Sequence, residues 1–243
     1  MAGTSPAMTT ESPDMAEFLD KKTIAELTAR MYLDTGAVRF MTDKPFIFTS
    51  GWASPVYNDS RWLISFPEAR SMLMDFTVAG IHRDIGHGAL DAVAGGETAG
   101  IAFAAWVAER LGLPMQYVRK KAKGFGRGAQ IEGKLDEGQR VLLVEDLATD
   151  GRSKVNFVKA LREAGGICEH CTVLFFYDIY PEGRKILADL GVTLHYLTTW
   201  WDVLAVAKAS NKFDPKLLAE VESFMHDPAG WSKAHGGVAE VAD

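Results

Sequence analysis

The chain has 243 residues, of which 47% are hydrophobic and 24% are charged, a composition typical of one large folded domain. Its formal net charge of −6 argues against general nucleic-acid binding, because proteins that neutralise many phosphates usually carry a basic surface. No apolar run approaches the roughly 20 residues of a membrane span, and the first residues do not resemble a signal peptide. We therefore expect a cytoplasmic protein that binds neither membranes nor nucleic acid.

The first 66 residues predict a leader, one helix and a small appendage. Residues 1–15 are rich in Ala, Thr, Ser, Pro and Met without an apolar period, which is typical of a disordered leader. The segment 20–36 has apolar residues at helical spacing and ends in glycine, so it predicts an amphipathic helix. In 38–59, short apolar pieces alternate with turn residues. We expect residues 16–66 to form this helix and a small N-terminal hood.

From residue 67 onward the pattern predicts an α/β core. A helix is expected to begin at Pro67, since proline suits the first helical turn, and strands and helices then alternate. Strands are expected near 91–95, 115–119, 140–145, 171–177 and 193–198, and helices near 98–111, 153–164, 181–190, 201–209 and 214–226. This order predicts a mostly parallel central sheet flanked by helices over residues 67–228. A flexible tail is expected over 229–243.

The segment from Val141 to Ser153 is the most informative in the chain. A buried-strand run ends in two adjacent carboxylates, Glu145 and Asp146, and a polar turn with Gly151 leads into a helix. Such a turn points backbone N–H groups and the positive end of the helix dipole outward, which suits a terminal phosphate. The carboxylates could accept hydrogen bonds from sugar hydroxyls or hold a hydrated cation, so the segment fits a ribose 5-phosphate. An ordinary strand–helix turn with solvated acids is the alternative.

A second segment, the basic loop (residues 119–134), concentrates positive charge in an acidic chain. It contains six basic residues against one acid, and glycines at positions 124, 126 and 128. Alternate glycines disfavour helix and strand, so we expect a mobile loop that can close over a polyphosphate and exclude water. The alternatives are a solvated loop with accidental charge and a dinucleotide-binding motif, which would need a helix start that is missing. Because ligands of parallel sheets bind beyond the carboxyl ends of strands, this loop should meet residues 95–98 and the turn after Asp146.

The two cysteines, Cys168 and Cys171, occur as Cys-Glu-His-Cys, a spacing that superficially suggests a redox pair or half of a zinc site. A structural zinc site needs about four ligands, and the sequence has no second cysteine pair. We therefore expect two buried thiols near the start of a strand.

Four segments in order along residues 40–155 resemble the orotate phosphoribosyltransferases, members of the type I phosphoribosyltransferase family. The run 141–153 resembles the family motif that binds phosphoribosyl pyrophosphate (PRPP). Residues 117–133 resemble the catalytic loop, 50–61 the N-terminal S-G-x-x-S-P-x-Y-x-D-x-R stretch, and 95–101 the short pyrophosphate-side loop. The run 141–153 would fit any phosphoribosyltransferase, whereas the catalytic-loop segment 117–133 and the N-terminal stretch 50–61 favour orotate as the base.

The resemblance implies a type I phosphoribosyltransferase-like fold and an enzyme that transfers ribose 5-phosphate from PRPP to orotate. The products would be orotidine 5′-monophosphate and pyrophosphate, in pyrimidine biosynthesis. Mg²⁺ would be the cofactor, bound mainly through PRPP and water without a direct protein ligand. The family also implies a homodimer in which the basic loop reaches the neighbouring active site.

The resemblance assigns roles residue by residue. Catalytic roles would fall to Lys123, Arg119 and Asp146, and orotate would contact Thr149 and Tyr57. The residues that would bind PRPP, from the pyrophosphate through the ribose hydroxyls to the 5-phosphate, are Arg119, Lys120, Lys123, Glu145, Asp146, Leu147, Ala148, Thr149, Asp150, Gly151, Arg152 and Ser153.

Some positions depart from the family pattern. Phe125 stands where the loop often has histidine, and Thr49 stands where some members have lysine. An arginine that binds orotate in some members has no match here, and Arg184 is only the nearest cation. Two alternatives keep the fold: a phosphoribosyltransferase for another base, and a non-catalytic regulator that senses PRPP. The regulator would need a DNA-binding module, and the first 35 residues offer no basic recognition helix.

Overall fold

The computed structural model describes residues 19–41, 43–123 and 130–239. The predicted leader and Phe125 therefore lie outside the described residues. The first helix, α1 (Lys21–Asp34), begins after Asp20, whose carboxylate accepts a hydrogen bond from the Thr23 N–H at 2.9 Å. This side-chain cap satisfies one of the free N–H groups of the first turn and fixes the start of the predicted helix.

The hood that follows α1 consists of two small antiparallel sheets. Its strands are β1 (Val38–Phe40), β2 (Phe46–Ile47), β3 (Ala53–Ser54) and β4 (Val56–Asn58). Strand β1 pairs with β4, and β2 pairs with β3. A 3-10 helix over Ser60–Ser65 connects the hood to the core. The short strands confirm the predicted alternation of apolar pieces and turns.

The core is a six-stranded sheet with the strand order β10-β9-β8-β5-β6-β7. Its strands are β5 (Ala92–Gly96), β6 (Met115–Val118), β7 (Ile131–Glu132), β8 (Arg140–Ala148), β9 (Ile167–Phe176) and β10 (Thr193–Thr199). All neighbouring strands are parallel except β6 and β7, which form an antiparallel hairpin. The mostly parallel sheet is thus confirmed. Strand β7 was not predicted, because two residues are too few to produce a periodic pattern.

Helices cover both faces of this sheet. They are α2 (Pro67–Asp84), α3 (Ala99–Leu111), α4 (Arg152–Glu163), α5 (Glu182–Asp189), α6 (Trp200–Ser210), α7 (Pro215–His226) and α8 (Pro228–Ala234). One buried cluster joins Leu142 of β8 to Phe103 and other residues of α1, α2, α3 and α6. The other joins Leu143 to α4 and α5. Successive residues of β8 enter opposite clusters because side chains alternate along a strand, so the sheet is buried on both sides.

Cys168 and Cys171 both lie in β9 and are fully buried, as predicted. Burial raises the pKa of the Cys168 thiol to about 11, so it is protonated at neutral pH. A buried, protonated thiol is a poor nucleophile, and the two cysteines serve as core residues.

The described part of the C-terminal segment, up to residue 239, corrects the flexible tail predicted over 229–243. Its first part is helix α8, and the residues after it bind the hood. The Ser232 hydroxyl accepts a hydrogen bond from the Ala53 N–H at 2.9 Å and donates one to the Val238 carbonyl at 2.6 Å. The Val238 N–H in turn donates to the Gly51 carbonyl at 3.0 Å. The small polar residues around 235–237 suggested a free tail, but the Ser232 hydroxyl and the Val238 backbone bond this segment to the hood.

Within the described ranges, no helix combines the length and the apolar character that crossing a membrane requires.

Gly95 marks a close contact between β5 and α3. A Cβ at this position would lie 2.7 Å from the Gly100 carbonyl oxygen and 2.8 Å from the Ile101 Cα. We expect Gly95→Ala to lower the free energy of unfolding by about 1–3 kcal/mol, because the helix must move away from the strand. The control is Gly80→Ala in α2, where the nearest atom is Arg83 Nη2 at 3.7 Å and a gain of about 0.5–1 kcal/mol is expected. Urea unfolding measures both changes, and an unchanged midpoint for Gly95→Ala would contradict the close packing.

Candidate active site

Three connections meet at the carboxyl end of the central strands. Strands β8, β5 and β6 are parallel neighbours, so the segments that leave them lie at the same edge of the sheet. The β5–α3 turn (residues 95–98), which contains a cis peptide bond between Glu97 and Thr98, is joined to the basic loop. The Lys120 N–H donates a hydrogen bond to Glu97 Oε2 at 2.8 Å, and the Glu97 N–H donates to the Val118 carbonyl at 2.8 Å. The predicted contact between residues 95–98 and the basic loop is confirmed, and the β8–α4 turn follows the neighbouring parallel strand.

The basic loop connects β6 to β7 in the antiparallel hairpin. Two hydrogen bonds close its base: the Arg119 N–H donates to the Gln130 carbonyl at 2.8 Å, and Gln130 Nε2 donates to the Arg119 carbonyl at 2.9 Å. Arg119 Nη1 donates to Glu132 Oε1 at 3.1 Å, whereas Lys120 and Lys123 are exposed. The glycines that predicted mobility lie in residues 124–129, outside the described part. The loop therefore presents its cations from a firmly bonded base.

The β8–α4 turn (residues 149–151) delivers the N-terminus of α4 to the same edge. Gly151 has a φ of +83°, a conformation that residues with a Cβ rarely adopt. Asp150 Oδ1 accepts the Arg152 N–H at 3.0 Å, and Oδ2 accepts the Arg152 Nε at 2.5 Å, so this arginine offsets the charge of Asp150. Ala148 is buried in the hydrophobic core, and Leu147 is partly buried against it. Of these two predicted PRPP-binding residues, Ala148 can therefore face a ligand only through its backbone.

Asp146 faces the hood side of the sheet. Burial raises the pKa of its carboxyl, and the charges of Lys154 and Arg61 act in the opposite direction. Burial also raises the pKa of Tyr32, and the nearby Asp146 carboxylate raises it further. The Tyr32 hydroxyl shares a hydrogen bond of 2.9 Å with the Ser60 hydroxyl. Asp146 is thus a nearly buried carboxylate bordered by arginine and tyrosine.

Glu145 points to the opposite face, as alternation along a strand requires. Only 6% of the residue is exposed, and its Oε2 lies 3.3 Å from the ammonium of Lys154, itself 4% exposed. Its Oε1 has no hydrogen-bond partner among the described residues and lies so close to Gly96 and Gly100 that a Cβ at either glycine would clash with it. Burial raises the pKa of Glu145 to about 7 despite the lowering effect of Lys154. The two carboxylates predicted to act together are thus neighbours in sequence but not on one face.

Tyr57, the second residue predicted to contact orotate, lies in an aromatic cluster of the hood. Its ring centroid is 4.6 Å from that of Phe46 and 6.3 Å from that of Phe48. The guanidinium of Arg39 lies 5.8 Å from the Tyr57 ring centroid. The residue is partly exposed, so one part of the ring is available to a ligand.

Two charged residues at the site were absent from the predicted set. The pKa of Arg61 is raised chiefly by hydrogen bonds to Asp59, with smaller effects from Tyr57 and Asp146, which places Arg61 between the hood and the end of β8. Arg61 could have been predicted from the sequence, because it is the last residue of the S-G-x-x-S-P-x-Y-x-D-x-R stretch. Lys154 gave no such signal, since a lysine in the first turn of an amphipathic helix normally faces solvent.

Arg184, the cation nearest in sequence to the expected orotate partner, is engaged elsewhere. It donates to both carboxylate oxygens of Asp178, at 2.8 and 2.6 Å, and to the Tyr196 hydroxyl at 3.2 Å. It lines a cavity of about 440 Å³ between α5 and β10, whose walls contain none of the predicted site residues. The orotate carboxylate is therefore left without an assigned residue.

Comparisons with known proteins show which family this chain resembles. A family model described as "Phosphoribosyl transferase domain" matches residues 68–188. The chain is 59% identical over 212 residues to the orotate phosphoribosyltransferase of Ruegeria sp. (strain TM1040), covering 87% of this chain and 94% of the relative. It is 56% identical over 225 residues to that of Sinorhizobium fredii (strain NBRC 101917 / NGR234), covering 93% and 97%.

Among solved structures, orotate phosphoribosyltransferase from Aeropyrum pernix matches with a TM-score of 0.65 and 31% identity, over 74% of this chain and 98% of that one. The relatives are more than half identical over nearly their whole length, and the solved structure shares the fold. The chain belongs to the orotate phosphoribosyltransferase family of type I phosphoribosyltransferases.

Proposed function

We propose that this chain transfers ribose 5-phosphate from PRPP to orotate and releases orotidine 5′-monophosphate and pyrophosphate. The convergence of a helix N-terminus, a buried carboxylate and a basic loop at one sheet edge supports this proposal. The 59% identity to a relative named for this activity supports it further. The reaction belongs to pyrimidine biosynthesis, and we expect it to take place in the cytoplasm.

The β8–α4 turn is suited to the 5-phosphate of PRPP. The N-terminus of α4 offers backbone N–H groups and the positive end of the helix dipole. Thr149 and Ser153 add hydroxyl donors, and Arg152 adds a cation at the same turn. Asp146, at the end of β8, would accept a hydrogen bond from a ribose hydroxyl and so orient the sugar.

The basic loop is suited to the pyrophosphate. Displacement at the anomeric carbon passes through an oxocarbenium-like state, in which negative charge grows on the leaving group. Arg119, Lys120 and Lys123 would stabilise that charge, and the closed loop would exclude water. No covalent intermediate with the protein is needed, so catalysis consists of positioning and charge stabilisation.

Mg²⁺ fits the donors that the site offers. Within the described residues, no three His, Cys, Asp or Glu side chains are grouped to hold a metal ion. Mg²⁺ prefers oxygen ligands and commonly keeps several waters while it binds substrate phosphates. The ion would bind mainly through PRPP and water and would neutralise charge on the pyrophosphate oxygens.

Orotate would lie between the hood and the end of β8. Thr149 and the ring of Tyr57 are the residues that we propose contact the base. The aromatic cluster around Tyr57 fixes its ring from behind, which lowers the entropy lost when a planar base packs against it.

The activity can be tested directly. Protein, PRPP, Mg²⁺ and orotate are mixed, and the loss of orotate absorbance is followed. We expect turnover with orotate and none with adenine, hypoxanthine or uracil. Turnover with another base alone would contradict the choice of substrate, and PRPP binding without any turnover would favour the regulator.

Lys123→Ala tests the basic loop. We expect kcat to fall by at least about 100-fold, because a cation that stabilises the leaving group is lost. Lys121→Ala is the matched control in the same loop, and it should stay within about threefold of wild type if its charge only adds to the general field. Circular dichroism should be unchanged for both variants. Near-normal turnover of Lys123→Ala would remove this residue from the mechanism.

Mixing of variants tests the proposed homodimer. Lys123→Ala and Asp146→Asn should each be inactive alone. If the loop serves the neighbouring subunit, the mixed dimer contains one site with an intact Asp146 and an intact Lys123, so mixing should restore up to about a quarter of wild-type activity, as statistical pairing of two variants predicts. An inactive mixture, with subunit exchange verified by labelled protein, would show that each loop serves its own subunit.

A further inference from the structure

Lys154 is a buried cation in an unusual place. It lies in the first turn of α4, yet only 4% of the residue is exposed. A positive charge at a helix N-terminus is opposed by the helix dipole, and burial removes its hydration. A lysine that tolerates both conditions needs strong local compensation.

Two groups supply that compensation. The Lys154 ammonium lies 3.3 Å from Glu145 Oε2 and donates a hydrogen bond to the Ser153 hydroxyl at 3.1 Å. Glu145 depends on Lys154 in turn, because its other carboxylate oxygen, Oε1, has no hydrogen-bond partner in the described part of the chain. The carboxylate therefore relies on Lys154 to remain charged inside the protein.

These contacts connect the two halves of the site. Glu145 Oε1 is packed against Gly96 of the β5–α3 turn and Gly100 of α3, so the carboxylate forms part of the floor below that turn. Ser153 belongs to the first turn of α4, where the 5-phosphate is expected. Since the Ser153 oxygen accepts from Lys154, its own hydrogen is directed away from the lysine and is free to donate to a phosphate oxygen.

We propose that Lys154 is a positioning residue for PRPP: its ammonium holds Glu145 as a carboxylate beneath Gly96 and Gly100 and orients the Ser153 hydroxyl toward the 5-phosphate. The proposal rests on the proposed function, because it assumes that PRPP binds at the N-terminus of α4. Lys154 acts through its neighbours and does not itself touch the substrate.

The pair gives PRPP binding a dependence on pH. The groups that act on Glu145 are Lys154 of α4, Asp146 of β8 and Lys120 of the basic loop, and the buried, neutral thiol of Cys171 lies nearby on β9. Burial raises the pKa of Glu145 to about 7 even with Lys154 present. Without the lysine this pKa must rise further, so the charged form, and with it tight PRPP binding, is lost at a higher pH.

Lys154→Met tests the proposal, because methionine keeps the length of the side chain and removes the charge. PRPP binding is measured by titration calorimetry between about pH 6 and pH 9, together with kcat and KM. We expect the Kd and the KM for PRPP to rise about fivefold at pH 7 and to recover by about pH 9, as a shift of about one pKa unit above 7 predicts. At saturating PRPP, kcat should stay within about threefold of wild type.

Lys159→Met is the matched control, since Lys159 is an exposed lysine on the same helix. Its pH dependence should superimpose on that of wild type. A Lys154→Met profile parallel to wild type, or a loss of kcat with unchanged PRPP affinity, would overturn the proposal.

A double variant covers the case in which Lys154→Met does not fold. Lys154→Met combined with Glu145→Gln removes both charges of the Lys154–Glu145 pair, and such neutral replacements of buried ion pairs are often tolerated. The double variant should lack the Glu145-dependent change in PRPP affinity that wild type shows near pH 7. If it keeps the wild-type dependence, the proposal is wrong. Calorimetry separates this result from the proposed function, because a wild type that binds PRPP without using orotate would count against the reaction alone.

Discussion

The site depends on one constraint at the end of β8, where two adjacent carboxylates are buried on opposite faces of the same sheet. Each carboxylate has lost most of its contact with water and needs a compensating group on its own side. On the hood side, Arg61 and buried tyrosines border Asp146. On the α4 side, Lys154 pairs with Glu145. The N-terminal part of the chain and helix α4 therefore both supply groups that act on the carboxylates of this strand.

Much of this arrangement could be predicted from local signals. Helix caps, apolar runs and the proline at the start of α2 have causes that lie within a few residues, so the order of strands and helices in the core was correct apart from the two-residue strand β7. The β8–α4 turn was predictable for the same reason. Its glycine and the adjacent acids follow a strand directly, and the topology of a parallel sheet determines where that strand ends.

What could not be predicted depends on contacts between distant segments. Lys154 has the spacing of a solvent-facing residue, and only the position of Glu145 against Gly96 explains its burial. Helix α8 is short, and its Ser232 accepts a hydrogen bond from Ala53, a residue far away in the sequence. The alternation of side chains does predict that neighbouring acids diverge, but it does not identify the partner of either one. Residues 124–129 of the basic loop, including Phe125, lie outside the described ranges.

The bonds between the C-terminal segment and the hood have a consequence for how the chain is made. Strand β3 can gain its bond to Ser232 only after about 180 further residues have been synthesised, because that many residues separate the two partners. The sheet core can form earlier from contacts nearer in sequence, whereas the hood reaches its final bonded state last. A fusion partner attached behind Val238 would consequently be carried next to the hood. An affinity tag is better placed at the other terminus when turnover is to be compared between variants.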